Sequence, residues 1–224
     1  MKARASTSRF REYGPILNLL QGWETVGRFK PGVQALLQEV SDRIESGTWL
    51  ITGLNIFDIL GCARKEDPHS DVLVWLFKPW ESHGLGSRFL LDFVREGTGK
   101  SLPNSRVRAV TPRKPIGTRT GKVDIEVQGD GWVLAVEYKI DYSEGPGQTQ
   151  RYAAYYRSLR QTGVKVFGVF LTLYRTPAEA GDIFKPMSYK QLHTILERNL
   201  ARATSDGAQV VRWIADHILR DLET

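Results

Sequence analysis

Two short segments that flank Asp130-Gly131 constrain the fold of this chain more than any other feature of its sequence. Residues 123–127 and 132–140 each place apolar side chains at every other position. This period of two predicts a pair of β-strands. Asp-Gly is a favoured two-residue turn, because both of its positions tolerate a positive φ. We therefore predict an antiparallel hairpin centred on this dipeptide.

The turn also sets the register of the two predicted strands. Counted outward from it, Ile125 pairs with Val136. The next position brings Asp124 opposite Glu137, and Lys139 follows two residues later on the same face. Opposed strand residues have Cβ atoms about 4.5–5.5 Å apart, a separation at which two carboxylates can share one cation. A slip of one residue would turn the apolar side chains out of the core, so the hydrophobic pattern supports the same register.

These three side chains have the chemistry of a metal-assisted hydrolase. Two carboxylates this close repel each other unless a cation lies between them. Mg²⁺ prefers such oxygen ligands, keeps several waters, and can polarise a phosphoryl oxygen. Lys139 can then orient the attacking water or neutralise charge on the phosphate. The alternative is a hairpin whose solvated face carries an acid and a lysine for solubility only.

The spacing of the three residues resembles a known motif. Asp124, followed about a dozen residues later by Glu137-x-Lys139, is similar to the core of the PD-(D/E)XK nuclease superfamily. Val123 stands where the proline that names the motif would be, a change found in many members. The resemblance implies that Asp124, Glu137 and Lys139 are catalytic and that both acids bind a divalent metal ion.

Gln148 and Tyr152 add a second element of the resemblance. They lie four residues apart on a predicted helix, so they share one of its faces. Their spacing resembles the Gln-x-x-x-Tyr element of RecB-like members, which implies that they help to position the nucleic acid. A surface glutamine beside a core tyrosine would have the same spacing.

A third element lies upstream. It resembles the N-terminal signature of one bacterial branch of the superfamily and consists of Asn55 to Gly61, Arg64 to Ser70, Val72 to Pro79, and Ser82 to Gly86. The resemblance as a whole spans residues 55–156, which is close to half of the chain. Agreement in several separate elements makes a chance match improbable.

Candidate ligands lie within that upstream signature. Ser70 is the predicted N-cap of an apolar helix, so Glu66 and His69 would lie just before the helix. The resemblance implies a further metal contact from Glu66 or His69, whereas in the alternative both only cap and shape a turn. His83 is interpreted as a residue that shapes a turn, with a ligand role as the alternative. Glu126, on the same strand face as the first acid, is expected to be a solvated carboxylate, with a metal contact as the alternative.

Residues 101–122 form a basic segment without a single acid, in a chain whose formal net charge is +6. The basic residues of the segment include Arg106, Arg108, Arg113, Lys114, Arg119 and Lys122. We predict that the last four contact phosphates of a nucleic acid, with an affinity that falls as salt rises. An ordinary solvated basic loop is the alternative.

The pattern along the chain predicts an α/β fold. Predicted helices span 33–44, 89–97, 148–161, 189–200 and 208–222, and predicted strands span 106–111, 123–127, 132–140 and 164–173. The order of the central elements, together with the resemblance, implies a restriction-endonuclease-like αβββαβ core, with a central mixed β-sheet flanked by helices and extra helices at both termini. The last crossover is expected to be right-handed.

Composition is consistent with one domain. We expect 1–224 to form a single domain, with a helical extension over 1–50, a nuclease core over 55–175 and C-terminal helices over 187–224. A single cysteine, Cys62, excludes an intrachain disulfide and a cysteine-based zinc site, as is typical of a reducing interior. No signal segment or bilayer-spanning run is visible, so cytoplasm is the expected location.

Together these patterns predict a Mg²⁺-dependent phosphodiesterase that cuts nucleic acid, with DNA favoured over RNA and Mn²⁺ able to substitute. The predicted metal ligands are Asp124, Glu137, and Glu66 or His69. Analogy suggests a restriction, repair or phage-defence component with a protein partner; no membrane partner is predicted, and an oligomer remains open. Two alternatives remain: an idle or partner-activated nucleic-acid-binding or assembly module on the same fold, and a hydrolase of another phosphoester.

Overall fold

A computed structural model describes residue 61, residues 65–117, 121–140 and 144–200, and residues 211 and 215. The chain divides into two units, Met1–Ala63 and Arg64–Thr224, and every helix and strand named below belongs to the second. The predicted helix 33–44 and Arg119 lie outside the described residues. Of the predicted helix 208–222, only residues 211 and 215 are described, and both are helical.

Four helices and five strands follow one another in the described part of the chain. They are α1 (Glu66–Phe77), α2 (Arg88–Thr98), β1 (Val107–Pro115), β2 (Lys122–Gly129), β3 (Trp132–Lys139), α3 (Gln148–Gln161), β4 (Lys165–Thr172), β5 (Phe184–Ser188) and α4 (Tyr189–Leu200). The predicted α/β class and αβββαβ order are confirmed. None of the described helices has the length and apolar character that a membrane span needs.

The strands form one mixed sheet in the order β1-β2-β3-β4-β5. Strand β2 is antiparallel to both β1 and β3, whereas β3, β4 and β5 are parallel to one another. Helix α3 packs on the face of the sheet that carries Val133 and Ala135. The opposite face contacts α1 through His69 and Tyr138 and α2 through Gly97. Both faces of the central hairpin are therefore buried.

The β2–β3 hairpin has the predicted register, with Ile125 paired to Val136. Gly131 supplies the positive φ of 76° that the tight turn requires. At the open end of the hairpin, the Tyr138 N–H donates a hydrogen bond to Asp124 Oδ2 over 2.8 Å. The turn therefore fixes the position of the first acid relative to the end of β3.

Strand β5 was not predicted from the sequence. Pro186 lies inside it and lacks the N–H that a central strand would use, which argues against a strand at this position. Among the described strands, β5 is at the edge of the sheet and pairs with β4 alone. A proline is tolerated there because one side of an edge strand has no partner.

Helix α1 begins earlier than predicted. Its first residue is Glu66, so the prediction that Ser70 caps the helix is wrong, and Glu66 and His69 lie within its first residues rather than before it. Pro68 is compatible with this start, because N–H groups of the first turn have no partner within the helix. Glu66 and Asp67 also place negative charge at the positive end of the helix dipole.

We expect Gly129→Ala to destabilise the hairpin. A Cβ at this position would collide with the buried Trp132 ring, its partner across the turn. Overpacking of this kind costs roughly 1–3 kcal/mol, which corresponds to several degrees in Tm for a chain of this size. Thermal unfolding measures the effect. Gly131→Asn is the control, since asparagine tolerates a positive φ and the added Cβ meets open space; equal Tm values for the two variants would contradict the prediction.

Candidate active site

The open end of the hairpin brings Asp124, Glu137 and Lys139 together. The Tyr138 N–H holds Asp124, as described above. Lys139 Nζ lies 3.3 Å from Glu137 Oε1, so the two side chains share one face of β3 as predicted. Glu137 is fully buried, and only a minor part of Lys139 is exposed. The three predicted residues thus form one partly buried charge cluster.

Helix α1 adds a third carboxylate to this cluster. Lys139 Nζ donates to Glu66 Oε2 over 2.9 Å, and the Ile140 N–H donates to Glu66 Oε1 over 3.4 Å. The early start of α1 makes these contacts possible, because it places Glu66 at the very beginning of the helix, beside the end of β3. The acid predicted from the upstream signature is therefore part of the site.

Helix α3 contributes Gln148 and Tyr152 from the other side. Gln148 Nε2 donates to Glu137 Oε1 over 2.5 Å and to the Tyr152 hydroxyl over 3.2 Å. Tyr152 is buried, and its hydroxyl would lie only 3.0 Å from a Cβ at Gly121. The shared helix face predicted for this pair points at the second acid, so the Gln148 amide fixes the orientation of Glu137.

The electrostatics of the cluster favour a bound cation. Burial raises the pKa of Glu137 to about 8, and the nearby charge of Asp124 adds to the rise. Burial also raises the pKa of Asp124 to about 6, against the opposing effects of Lys139 and of the Tyr138 N–H. One ammonium group is thus too little positive charge for the buried Glu137 and the partly buried Asp124 together.

The charge on Lys139 is stabilised by the same carboxylates. Burial disfavours its ammonium form, but the charges of Glu137 and Asp124 and the hydrogen bond to Glu66 outweigh burial and raise the pKa of Lys139. The side chain is therefore a protonated donor, not a base, when the carboxylates are ionised.

The donor set fits a hard divalent ion. Glu137 Oε2 is buried and has no hydrogen-bond partner among the described residues. A buried carboxylate oxygen without a hydrogen-bond partner costs desolvation free energy, and a bound cation would offset that cost. Within the described ranges, no group of three or more histidine, cysteine, aspartate or glutamate side chains is arranged to hold a metal. Two carboxylates completed by waters would suit Mg²⁺, which keeps several waters when it binds.

His69 lies elsewhere. Its ring centroid is 6.0 Å from that of Tyr138, at an interplanar angle of 33°. Tyr138 alternates with Glu137 along β3, so the structure places His69 on the sheet face opposite the second acid. The role of His69 as a metal ligand stays a prediction.

His83 shapes a turn, as the sequence indicated. Its Nδ1 accepts a hydrogen bond from the Leu85 N–H over 3.0 Å, which leaves the proton on Nε2 for the Lys78 carbonyl at 2.9 Å. Burial lowers the pKa of His83, so the neutral ring is favoured. Both ring nitrogens are used within the turn.

Two of the predicted phosphate contacts have carboxylate partners within the fold. Arg113 forms ion pairs with Asp67 at 3.6 Å and with Asp71 at 3.0 Å, and so links β1 to α1. Lys114 Nζ lies 3.9 Å from Glu126. Both basic side chains remain partly exposed, so each is within reach of a ligand at the surface.

The remaining basic residues divide into two groups. Lys122 is exposed at the start of β2, two residues before Asp124. Arg106 and Arg108, by contrast, pair with Asp130 in the hairpin turn at the far end of the strands. Lys122 therefore lies close to Asp124 on β2, whereas the two arginines lie at the opposite end of the hairpin.

The expectation that Glu126 is a solvated carboxylate is wrong. Its side chain is fully buried; Oε2 accepts a hydrogen bond from the Tyr156 hydroxyl over 2.9 Å, and Oε1 accepts one from Gln128 Nε2 over 2.8 Å. The sequence contains a signal for this contact. Tyr156 follows Tyr152 by four residues, so it belongs to the α3 face that packs on the sheet.

Comparison with known proteins identifies a protein family. The family model of the PD-(D/E)XK nuclease superfamily matches residues 54–213, well over half of the chain. No curated protein and no solved structure matches the chain. The matched segment includes every side chain of the charge cluster and of the α3 face described above.

We expect Glu137→Gln to stabilise the metal-free protein at pH 8. The ordinary pKa of the group is 4.5 and its folded value is about 8. Ionisation therefore costs the folded state more than the unfolded state, and stability is lost as pH rises from about 4.5 through 8. In EDTA, the variant should gain several degrees of Tm over wild type at pH 8 and little at pH 5.

Thermal unfolding between pH 5 and pH 8.5 measures this difference. Glu96→Gln is the control, at an exposed position on α2 whose partner Arg198 keeps its charge over this pH range, and it should show no such pH dependence. A Tm gain for Glu137→Gln that is equal at all pH values would contradict the raised pKa.

Proposed function

This chain belongs to the PD-(D/E)XK nuclease superfamily, and on that premise we propose that it is a metal-dependent nuclease that hydrolyses phosphodiester bonds of nucleic acid. The observation that carries the proposal is the convergence of Asp124, Glu137 and Lys139 at the open end of the hairpin. We propose DNA rather than RNA as the substrate, on the analogy with restriction and repair nucleases. Mg²⁺ is the proposed cofactor, and Mn²⁺ should replace it.

Asp124 and Glu137 are the proposed metal ligands. The buried, unpartnered Glu137 Oε2 and the raised pKa values of both carboxyls support this assignment. Glu66 is our candidate for a third ligand, and His69 is the other candidate from α1. When bound, the ion would polarise a phosphoryl oxygen and lower the pKa of a coordinated water.

Lys139 is proposed to act on the reacting phosphate. Its ammonium lies between Glu66 and Glu137, and the carboxylates keep it charged. A fixed ammonium can orient the attacking water and stabilise the negative charge that develops on the phosphate oxygens in the transition state. Little reorganisation is needed during the reaction, because two ion pairs already hold the side chain.

Gln148 is proposed to position the second acid. Its amide donates to Glu137 Oε1, which restricts the rotation of the carboxylate and leaves Oε2 for a metal ion. Tyr152 accepts the other hydrogen bond of that amide and keeps it in place. Asp124 is held in a similar way by the Tyr138 N–H.

The basic residues Arg113, Lys114, Arg119 and Lys122 are proposed to bind the phosphate backbone. Lys122 lies on the same strand as Asp124, and the chain carries a formal net charge of +6. Arg113 would exchange its partners on α1 for a phosphate group when nucleic acid binds. Binding should therefore weaken as the salt concentration rises. A role in restriction, repair or phage defence in the cytoplasm, with a protein partner, is the proposed setting.

A partner-activated module on the same fold is the second candidate. One observation favours it: within the described residues, no group of three or more metal-binding side chains is assembled. A partner or a nucleic acid would then complete the site, or the fold would serve binding and assembly without catalysis. The basic segment would have the same role in both cases.

We expect Asp124→Asn and Lys139→Ala each to abolish Mg²⁺-dependent cleavage without loss of the fold. The first change removes a metal ligand, and the second removes the charge that faces the phosphate. Gel assays with circular DNA, linear DNA and RNA, in Mg²⁺ or EDTA, measure the activity, and circular dichroism checks the fold. Lys100→Ala, at an exposed position, is the control and should cut like wild type.

Cleavage by either site variant at the wild-type rate would contradict the assignment. If the protein hydrolyses another phosphoester and neither DNA nor RNA inhibits that reaction, the proposal of a nuclease fails as well.

Metal binding separates the enzyme from an idle module. We expect calorimetric titration of Mn²⁺ to show one binding event in wild type that is lost in Asp124→Ala, because the nuclease site needs this carboxylate. Heat of binding that is the same for both proteins, or absent from both, would favour the idle or partner-activated module.

A further inference from the structure

The three parallel strands of the sheet end in one row. Lys139 at the end of β3 pairs with Thr172 at the end of β4, and Thr172 pairs with Ser188 at the end of β5. Ligands of open α/β sheets bind outside the carboxyl ends of their parallel strands. The chain that leaves β4 therefore starts directly beside the catalytic lysine proposed above.

An exposed aromatic ring lies on that chain. Tyr174, two residues beyond Thr172, is 83% exposed. Thr172, two residues before it along the chain, pairs with Lys139 across β4 and β3. Among the described residues, Trp80 is the other large hydrophobic side chain in solvent, at 61%. One exposed aromatic residue is not unusual. The conformation of the backbone next to Tyr174 is therefore the observation that points to a function.

The backbone behind Tyr174 is held in a strained conformation. Arg175 has a φ of 60°, a left-handed value that is uncommon for a residue with a Cβ. Such conformations persist when neighbouring contacts enforce them, and they concentrate at functional sites. Here the Thr176 N–H donates to Thr172 Oγ1 over 2.7 Å, and Arg175 Nε donates to the Pro186 carbonyl over 3.3 Å. The turn is thereby closed directly behind the tyrosine.

The same loop is attached to the beginning of α3. The Ala180 N–H donates to Thr149 Oγ1 over 3.1 Å, and Glu179 Oε2 accepts from the Gly147 N–H over 3.0 Å. Gln148, which orients Glu137, lies between these two anchor points. The loop that carries Tyr174 is therefore held at one end by β4 and at the other by the beginning of α3.

We propose that Tyr174 stacks on an unpaired base beside the scissile phosphate, with Arg175 at the neighbouring phosphate. The substrate class that this arrangement fits is single-stranded nucleic acid, including the unpaired part of an end or flap. Stacking on an aromatic ring tolerates any base, because every base has a π face. A base within an intact duplex is already stacked and must leave its partner to reach the ring. This inference rests on the proposed nuclease function.

The first test compares Tyr174→Ala, Tyr174→Phe and Trp80→Ala on a single-stranded oligonucleotide and on the matching duplex. Loss of a stacking ring should raise KM for the single strand about 5- to 150-fold, with kcat nearly unchanged. The phenylalanine variant keeps the ring and should behave like wild type. Trp80→Ala is the matched control for an exposed aromatic residue. A Tyr174→Ala variant with wild-type KM, or one with an equal loss on duplex, would overturn the inference.

An abasic site in the oligonucleotide provides the second test. Removal of the stacked base should raise KM of wild type about as much as Tyr174→Ala does, and it should add nothing in the variant. If the abasic site raises KM of Tyr174→Ala by the same factor as it raises KM of wild type, Tyr174 does not stack on that base. An abasic scan in which no position near the cut affects wild type would also overturn the inference.

Binding measured without cleavage separates this inference from the nuclease proposal. In the Asp124→Asn background, fluorescence anisotropy of the labelled single strand should show weaker binding when Tyr174→Ala is added and no change when Trp80→Ala is added. Unchanged binding would overturn the stacking role and favour Tyr174 as a protein contact, even if wild type cuts DNA. Weaker binding together with an inactive wild type would overturn the nuclease proposal and leave the stacking role in place.

Discussion

The confinement of two carboxylates, Asp124 and Glu137, in a buried corner of the sheet is the constraint on which the rest of the site depends. Burial and mutual repulsion oppose their ionisation. The surrounding fold compensates in part, through a strand N–H, the ammonium of Lys139 and the amide of Gln148. Lys139 is shared with Glu66, so negative charge remains in excess. A divalent cation would remove that excess, which gives the metal-dependent proposal a physical basis.

Local patterns predicted the elements that are determined locally. The Asp130-Gly131 turn and the alternation beside it fixed the register of Ile125 and Val136, because turn geometry and burial agree. The bounds predicted for α3 and α4, 148–161 and 189–200, match the structure. Since Asp124 and Glu137 face each other within one hairpin, their juxtaposition could be predicted without knowledge of the remaining fold.

Features that depend on distant contacts were not predictable in this way. Strand β5 contains Pro186 and exists because the edge of the sheet tolerates it. The spacing of Tyr152 and Tyr156 indicates one face of α3, but the contact of Tyr156 with the buried Glu126 depends on how that helix packs on the sheet. Tyr174 lies far from Lys139 in sequence, and a parallel register set by a helical crossover brings the two together. Long-range pairing of this kind leaves no periodic signal in either segment.

The polar face of α3 links assembly of the protein to its proposed chemistry. The Tyr156 hydroxyl donates a hydrogen bond to the buried Glu126 and so attaches α3 to the sheet. About two helical turns earlier, the Gln148 amide donates a hydrogen bond to Glu137. Both bonds require the same placement of the helix, so the second acid acquires its orientation only when the crossover has docked. A newly made chain whose helix is still undocked would hold an unaligned carboxylate, so the proposed hydrolytic activity would begin only once folding is complete.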